Sequence, residues 1–251
     1  MKISVITASF NNVATIEATI RSVQMQSHSP VEHIIIDGGS NDGTLEVIEG
    51  YRGNLAMVVS EMDHGIYDAM NKGIALASGD VIGLLNADDF YAGEQVLARV
   101  AAVFADPEVE ACYGDLEYVA ADNTDHVFRY WKSGPYRAKR FYNGWMPPHP
   151  TFFVRRSVYE RLGGFNTTLG SSADYELMLR FLLKGGVHAA YIPEVLVKMR
   201  TGGTSNATLA NRVRANLNDR LAWRVNGLRP HPWTLYFKPL SKLGQFFRRR
   251  R

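Results

Sequence analysis

The chain has 251 residues, 46% hydrophobic and 21% charged, ordinary globular usage that excludes disorder over most of its length. One cysteine, Cys112, excludes an internal disulfide framework and a multi-cysteine zinc site. The net charge of +3 is uneven: residues 201–251 hold eleven Lys or Arg against one acid, Asp219, a local +10 that leaves −7 for the rest. An acidic body suits a metal and a small substrate, and a basic tail suits an anionic surface.

Residues 2–8 (KISVITA) read as a short buried strand, and Ala14–Met25 as a helix with Ile16, Ile20 and Val23 on one face. His33–Ile36 is a second buried strand, closed by the turn-forming run Asp37–Gly43. Thr44 opens a helix to about Glu49, Leu55–Ser60 is a strand, Gly65–Ala77 a helix, and Val81–Leu85 a fourth strand. This alternation predicts parallel βαβ units with helices on both faces. Ligands of such sheets sit at the carboxyl ends of strands. Three polar segments fall there: Thr7–Asn12, Asp37–Asp42 and Asn86–Asp89.

Beyond Asp89 the expected elements are a helix over Glu94–Phe104, a strand over Ala111–Val119, and an antiparallel strand over Val127–Lys132. A long functional loop follows over Ser133–Pro150. Helices are then expected over Ser157–Leu162 and Asp174–Lys184, a last strand over Glu194–Arg200, and an Arg-studded helix over Leu209–Asn226. No apolar run approaches the ~18 residues of a membrane span, and the opening MKISVITASF turns polar too soon for a secretory signal. These features lead to a soluble protein of a reducing compartment.

Asp88 and Asp89 follow a buried strand directly. Adjacent carboxylates repel each other, and at a strand end they are suited to a hard divalent ion that prefers oxygen ligands. The segments SVITASFNN, IIIDGGSNDGT, DHGIYDAMNKGIALASGD and LLNADDFY, followed by HPTFFVRRSVYERLGGFN and SSADYELMLRF, resemble in order and spacing the family 2 glycosyltransferases of the GT-A fold. The likeness covers about residues 1–200 and is nearest to bacterial enzymes of exopolysaccharide and lipopolysaccharide assembly, of colanic-acid type.

The resemblance implies an α/β, GT-A-like fold: a mostly parallel twisted sheet with helices on both faces; charge and apolar spacing add a C-terminal helical basic tail. It divides the chain into a glycosyltransferase domain at 1–205, with a nucleotide-binding half at 1–105 and an acceptor-binding half at 106–205, and an extension at 206–251. It places Thr7, Ala8 and Phe10 beside the nucleotide base, with Asp37 bonding the base and Ser40 shaping its pocket. Asp68, Asn71 and Lys72 fall along the nucleotide-sugar cleft; Lys72, read as a helix residue alone, is more often a solvated surface lysine. Asn86-Ala87-Asp88-Asp89 matches the metal-binding carboxylate element, with Asp88 on ribose or metal and Asp89 ligating Mn²⁺ or Mg²⁺. Asn86 stands where the family often has Asp.

A direct displacement at the anomeric carbon needs a base for the acceptor hydroxyl. The resemblance assigns this role to Asp174, in Ala173-Asp174-Tyr175-Glu176, where the family usually has Glu-Asp. Read from the residues alone, Asp174 sits at a helix N-terminus after Ser171 and Ser172, where a cap is the competing role and the helix dipole favours the ionised form. Glu176 lies about 200° round the helix and cannot act with it. His149, fixed between Pro148 and Pro150, is expected to contact acceptor or phosphate, or else a loop carbonyl. Trp145 and Tyr142 offer faces for a sugar ring or anchors for the loop, and Asp115 is a further acceptor contact.

The function expected is metal-dependent, inverting transfer of a sugar from a nucleoside-diphosphate donor to a glycan, lipid-linked, at the cytoplasmic face of a cell membrane. The competing class is a non-catalytic nucleotide- or glycan-binding protein of the same fold. G-x-G-x-x-G after the first strand, a P-loop and a G-x-S-x-G elbow are all absent from the sequence. In the tail, Tyr236, Leu240, Leu243 and Phe247 repeat on one helix face beside Lys238, Lys242 and Arg248–Arg251, with Pro239 expected to kink or restart the helix. This pattern fits docking on an anionic membrane, against packing on the domain; no nucleic-acid role is expected.

Overall fold

The computed structural model of the chain describes residues 1–201 and 209–243. Strands β1 (Ile3–Ser9), β2 (Val31–Asp37), β3 (Met57–Ser60) and β4 (Val81–Leu84) pair in parallel in the order β3-β2-β1-β4. Helices α1 (Ile16–Gln24), α2 (Thr44–Gly50) and α3 (Ile66–Leu76) connect them. In β2, Ile34 and Ile36 join the cluster that holds Ala69 and Met70 of α3, while Ile35 joins Ile16, Ile20 and Ile48 of α1 and α2. Helices thus cover both faces, which is why β1 is buried along its whole length and β2 from Glu32 onward, instead of on alternate residues.

The second half is mixed. β5 (Asp89–Tyr91) pairs antiparallel with β9 (Ala189–Arg200), β6 (Ala111–Val119) pairs parallel with β9, and β7 (Val127–Trp131) is antiparallel to β6 as expected. β8 (Phe153–Arg155) runs antiparallel between β4 and β6 and makes one nine-stranded sheet. The expected parallel pairing therefore dominates the first four strands. β5 and β8 are three residues each, too short to leave a periodicity in the sequence. Gly83 is what lets β8 in: a Cβ there would lie 2.4 Å from the ring of Phe153.

The remaining helices are α4 (Val96–Val103), α5 (Ala138–Tyr142) inside the expected long loop, α6 (Arg156–Leu162), α7 (Ala173–Met178), α8 (Leu209–Val225) and α9 (Thr234–Leu243). A π-helical stretch, Leu179–Lys184, continues α7. The C-terminal pair is anchored to the body. Trp223 is fully buried and its indole N–H donates to the Tyr175 hydroxyl at 2.9 Å. Thr234 Oγ1 donates to the Tyr142 carbonyl at 2.7 Å, and Lys238 Nζ to Asp219 Oδ2 at 2.6 Å. α9 runs through Pro239 without the expected restart. Of its expected apolar face, Tyr236 is exposed, and the side chains of Leu240 and Leu243, with Lys242, Phe247 and Arg248–Arg251, lie outside the described residues.

In β2, His33 is buried and its Nε2 lies 2.9 Å from Thr7 Oγ1. Burial pushes the imidazole down from 6.5 to about 3. The unfolded chain takes up a proton in that window that the folded chain refuses, so stability is full above about pH 6.5 and falls as pH drops toward 3. The loss assigned to this group is on the order of 3–5 kcal/mol. His33→Gln is expected to flatten the dependence of unfolding free energy on pH between 6.5 and 3, measured by urea titration. An unchanged difference between wild type and variant across that window would show that His33 titrates alike in both states.

Candidate active site

The carboxyl ends of β1, β2 and β4 carry the loops that build the site. The first two loops are stapled together. The Asn11 N–H donates to Ser40 Oγ at 2.8 Å, the Asn41 N–H to Asn11 Oδ1 at 3.0 Å, and the Asn12 N–H to Thr44 Oγ1 at 2.8 Å. Asp37 is buried; its Oδ2 accepts from the N–H groups of Gly39 and Ser40 and from Ser60 Oγ at 2.8–3.0 Å. Its Oδ1 accepts from Ser40 Oγ at 2.5 Å. Oδ1 retains acceptor capacity, and Oδ2 is committed to shaping the turn. Phe10 stands out from the end of β1, 60% exposed. Ala8 is buried, and the Thr7 side chain turns inward to His33, so these two residues offer the cleft only backbone.

Asn86 and Asp88 are half-buried at the end of β4, and Ala87 and Asp89 are buried. Asp89 Oδ2 accepts from Asn86 Nδ2 at 3.1 Å, while Oδ1 has no hydrogen-bond partner. Burial first, and then the neighbouring Asp88 charge, push the Asp89 carboxyl well above the usual carboxylate range. An enclosed carboxylate with an orphaned oxygen beside a second carboxylate is a donor set that a hard divalent ion satisfies. Among the described residues no group of three His, Cys, Asp or Glu side chains gathers for a metal. Such an ion would therefore take its other oxygens from elsewhere, as Mg²⁺ commonly does from substrate phosphates.

Two residues that hold this turn were not read from the sequence. Thr19 Oγ1 on α1 reaches the carbonyls of Ala87 at 3.0 Å and Asp89 at 2.7 Å. Arg200, at the end of β9, donates from Nη1 to the Asp88 carbonyl at 2.7 Å and lies over the Phe90 ring. Neither carries a local motif; their roles arise from contacts distant in sequence.

On α3, Lys72 Nζ pairs with Glu61 at 2.8 Å and Asp68 at 3.5 Å, and Asp68 also accepts from the His64 N–H at 3.1 Å. These partners raise the Lys72 ammonium and, with the His64 contact foremost, lower the Asp68 carboxyl. Asn71 bolts the two halves together. Its Nδ2 donates to the Phe165 carbonyl at 2.9 Å and its Oδ1 accepts the Phe165 N–H at 2.7 Å.

Asp174 is the second residue of α7, behind Ser172, which makes no side-chain cap hydrogen bond. Asp174 itself is not at the N-cap position, but its carboxylate satisfies a first-turn N–H of α7, that of Tyr175. Gly170 (φ 51°, ψ −129°) turns the chain just ahead of α7 in a conformation that an L side chain resists. Asp174 Oδ2 lies 3.2 Å from His149 Nδ1, and Oδ1 accepts the Tyr175 N–H at 2.7 Å. Tyr67, in the first turn of α3, lies near Asp174; burial, then the Asp174 charge, raises its phenol. The sequence reading had His149 and Asp174 as separate candidates and did not single out Tyr67. Glu176 points elsewhere: it is buried, accepts from Arg180 Nε at 2.9 Å and from Asn226 Nδ2 at 3.1 Å.

Two expected acceptor contacts turn inward instead. Asp115 is fully buried, with Oδ1 accepting from the Ser133 N–H and the Tyr191 hydroxyl at 2.8 Å each, and Oδ2 from the Tyr130 hydroxyl. Trp145 is buried, donates to the Ser133 carbonyl at 3.0 Å, and packs edge-on against Tyr113 and Phe141. Tyr142 lies against Trp223 and His231. These aromatic rings anchor the loop, and Asp115 knots β6 to β7 and β9.

A doubly covered α/β sheet, with carboxylates at the end of β4 and a carboxylate–histidine pair in the second half, fits a glycosyltransferase of GT-A-like fold. Residues 4–163 match the family described as Glycosyl transferase family 2, and the chain belongs to that family. An uncharacterized glycosyltransferase of Mycobacterium tuberculosis is 35% identical over 184 residues, covering 72% of this chain and 69% of the relative. Among solved structures, S. aureus TarS 1–349 in complex with UDP-GlcNAc superposes with a TM-score of 0.72 at 17% identity, over 90% of this chain and 65% of that one. The chain thus spans just under two thirds of that structure. A mannosyltransferase from Pyrobaculum calidifontis in complex with GDP-Man and Mn²⁺ superposes with a TM-score of 0.64 at 20% identity, over 95% of this chain and 73% of that one.

Proposed function

We propose that the chain transfers a sugar from a nucleoside-diphosphate donor to a hydroxyl of a glycan acceptor, with inversion and with a divalent metal ion. The observations that carry the reading are the buried Asp89 carboxylate with its unpartnered Oδ1 beside Asp88 at the end of β4, and the Asp174–His149 contact in the second half. The loops of Asp37–Ser40 and Thr7–Asn12 hold the nucleoside, with Asp37 Oδ1 receiving an N–H of the base. Asp68, Asn71 and Lys72 border the diphosphate and sugar. Asp88 and Asp89 hold Mn²⁺ or Mg²⁺, with Asn86 fixing Asp89. When bound, that ion offsets negative charge growing on the leaving diphosphate. Asp174 accepts the acceptor's hydroxyl proton as the oxygen bonds the anomeric carbon; the bond from that carbon to the phosphate oxygen breaks, and its electron pair leaves with the nucleoside diphosphate. The bound nucleotide sugars of the two structural neighbours support the donor class, and the Mn²⁺ of one supports the metal.

The acceptor is lipid-linked, in bacterial surface-glycan assembly of the kind suggested by the colanic-acid-type motifs, and the chain works as a peripheral protein at the cytoplasmic face. Among the described residues no helix is long and apolar enough to cross a membrane. The support is an exposed face on the C-terminal helices. Leu217, Leu221 and Val225 of α8, with Trp233 just before α9 and Tyr236 and Phe237 on it, are exposed beside exposed Arg220, Arg224 and Arg229. Apolar rings flanked by arginine suit an anionic lipid interface, where each basic residue contributes roughly 1 kcal/mol.

Asp174→Asn is expected to lower turnover about 10²–10⁴-fold with donor affinity nearly unchanged; wild-type turnover in this variant would remove the base. Asp89→Asn relieves a buried charge whose protonation the fold favours, so it is expected to raise the melting temperature of the metal-free protein at neutral pH. It is also expected to abolish the further rise given by Mn²⁺ with nucleoside diphosphate in the wild type. An equal ligand-induced rise in both proteins would take Asp89 out of the metal site. Replacing Trp233, Tyr236 and Phe237 together by serine should release the protein from phosphatidylglycerol vesicles at low salt while leaving donor binding intact. Equal sedimentation of variant and wild type would contradict docking through this face.

A further inference from the structure

We propose that the C-terminal helices are a positioning element of the active site: through Tyr175, Trp223 of α8 and Lys238 of α9 set the first turn of α7 and with it the direction of the Asp174 carboxylate. The inference rests on Asp174 being the base. It starts from an inversion in α8. Leu217, Leu221 and Val225 of that helix are exposed, whereas Asp219 and, one residue past its end, Asn226 are buried with Ala222 and Trp223. With half-buried Asn218, these residues fall at i, i+1, i+4, i+5 and i+8, one helical face. A face that only held the helix on the body would be apolar, because a buried polar group costs free energy unless it is hydrogen-bonded. Here Asn218, Asp219 and Asn226 lie on the inner face, and each has a partner.

Those partners converge on the start of α7. Asn218 Nδ2 donates to the Leu169 carbonyl at 3.0 Å, just ahead of the turn at Gly170. Asn226 Nδ2 donates to Glu176 Oε1 at 3.1 Å and to the Glu176 carbonyl at 3.3 Å. Between them, Trp223 Nε1 donates to the Tyr175 hydroxyl at 2.9 Å. Asp219 Oδ2 accepts from Lys238 Nζ at 2.6 Å, and the same ammonium stands 3.7 Å from the centroid of the Tyr175 ring. That cation–π contact is largely out of water, the Lys238 side chain being 16% exposed. Gly144 lets α9 approach this closely, because a Cβ there would lie 2.4 Å from the Lys238 backbone nitrogen. Tyr175 is therefore held at its hydroxyl and on its ring face, and its N–H is the donor that meets Asp174 Oδ1 at 2.7 Å. A shift of Tyr175 carries the carboxylate with it, and misplacing a reacting group by about 1 Å costs on the order of 10²-fold in rate.

The test is a kinetic cycle on the full chain with saturating nucleotide-sugar donor. Melting temperature and the dissociation constant of nucleoside diphosphate with Mn²⁺ are measured for every variant. Lys238→Met, which keeps the reach of the side chain and removes the ammonium, is expected to lower kcat about 10- to 100-fold with that dissociation constant within about twofold of wild type. Lys238→Arg, which returns a cation to Asp219 and to the ring, should recover most of the loss. Tyr175→Phe keeps the ring and the N–H, gives up only the hydroxyl that Trp223 holds, and should lower kcat in the same way. In an Asp174→Asn background, Lys238→Met should change kcat by less than about twofold, because its effect passes through the carboxylate. A wild-type kcat in either Lys238→Met or Tyr175→Phe would overturn the proposal. So would an undiminished loss in the Asp174→Asn background, or a loss that tracks a fall in melting temperature and that Lys238→Arg does not rescue. Failure of the underlying reading has a separate signature: Asp174→Asn itself would then turn over like wild type.

Discussion

The site depends on the antiparallel seam between β4 and β8. Val81, Ile82 and Gly83 lie opposite Arg155, Val154 and Phe153, so the chain arriving at β8 lies beside the chain leaving β4. The segment before β8 carries His149, and the segment after β4 carries Asn86 to Asp89. One pairing therefore sets the loop that carries His149 beside the turn that carries Asp88 and Asp89. Gly83 permits it, because Phe153 is buried where a side chain on residue 83 would stand. A methyl group placed 2.4 Å from that ring would force the seam apart.

Two further ties hold the halves in register around that seam. Asn71 exchanges two hydrogen bonds with the Phe165 backbone, and Arg180 donates to the carbonyls of Gly163 at 2.9 Å and Gly164 at 2.6 Å while paired with buried Glu176. Both clamp the stretch that leads to Gly170 and α7. Breaking a buried pair such as Glu176–Arg180 leaves an uncompensated charge, typically costing about 3–5 kcal/mol. The buried carboxylates are not all treated alike. Asp115 and Glu176 have their oxygens filled by donors from the fold, whereas Asp89 keeps an orphaned oxygen. Residual capacity, more than position near the cleft, sets Asp89 apart from Asp115 and Glu176.

That distinction explains how much of the molecule was legible in the sequence. β1 to β4 and their helices follow from β-branched runs and the 3.6-residue spacing of Ile16, Ile20 and Val23, and the Asp88–Asp89 turn follows from its place after β4. Asp115 was placed in the right strand, but β6 is buried along nearly its whole length, so alternation gives no sign of which way a side chain faces. Trp145 and Tyr142 carry surfaces suited to a sugar, and packing against Tyr113, Phe141 and Trp223 uses them. Thr19 was hidden because its partner carbonyl lies 70 residues away. The nearness of Tyr67 to Asp174 was hidden for the same reason, the two lying in different halves of the chain.

The stereochemistry of the product tests the central claim, a single displacement assisted by the Asp174 base, most directly. With a donor of known anomeric configuration and an acceptor that the protein glycosylates, proton NMR of the fresh product reads the configuration of the new bond. Attack by the acceptor oxygen opposite the leaving diphosphate predicts the inverted anomer as the sole initial product. The retained anomer would contradict a single displacement and with it the assignment of Asp174 as base.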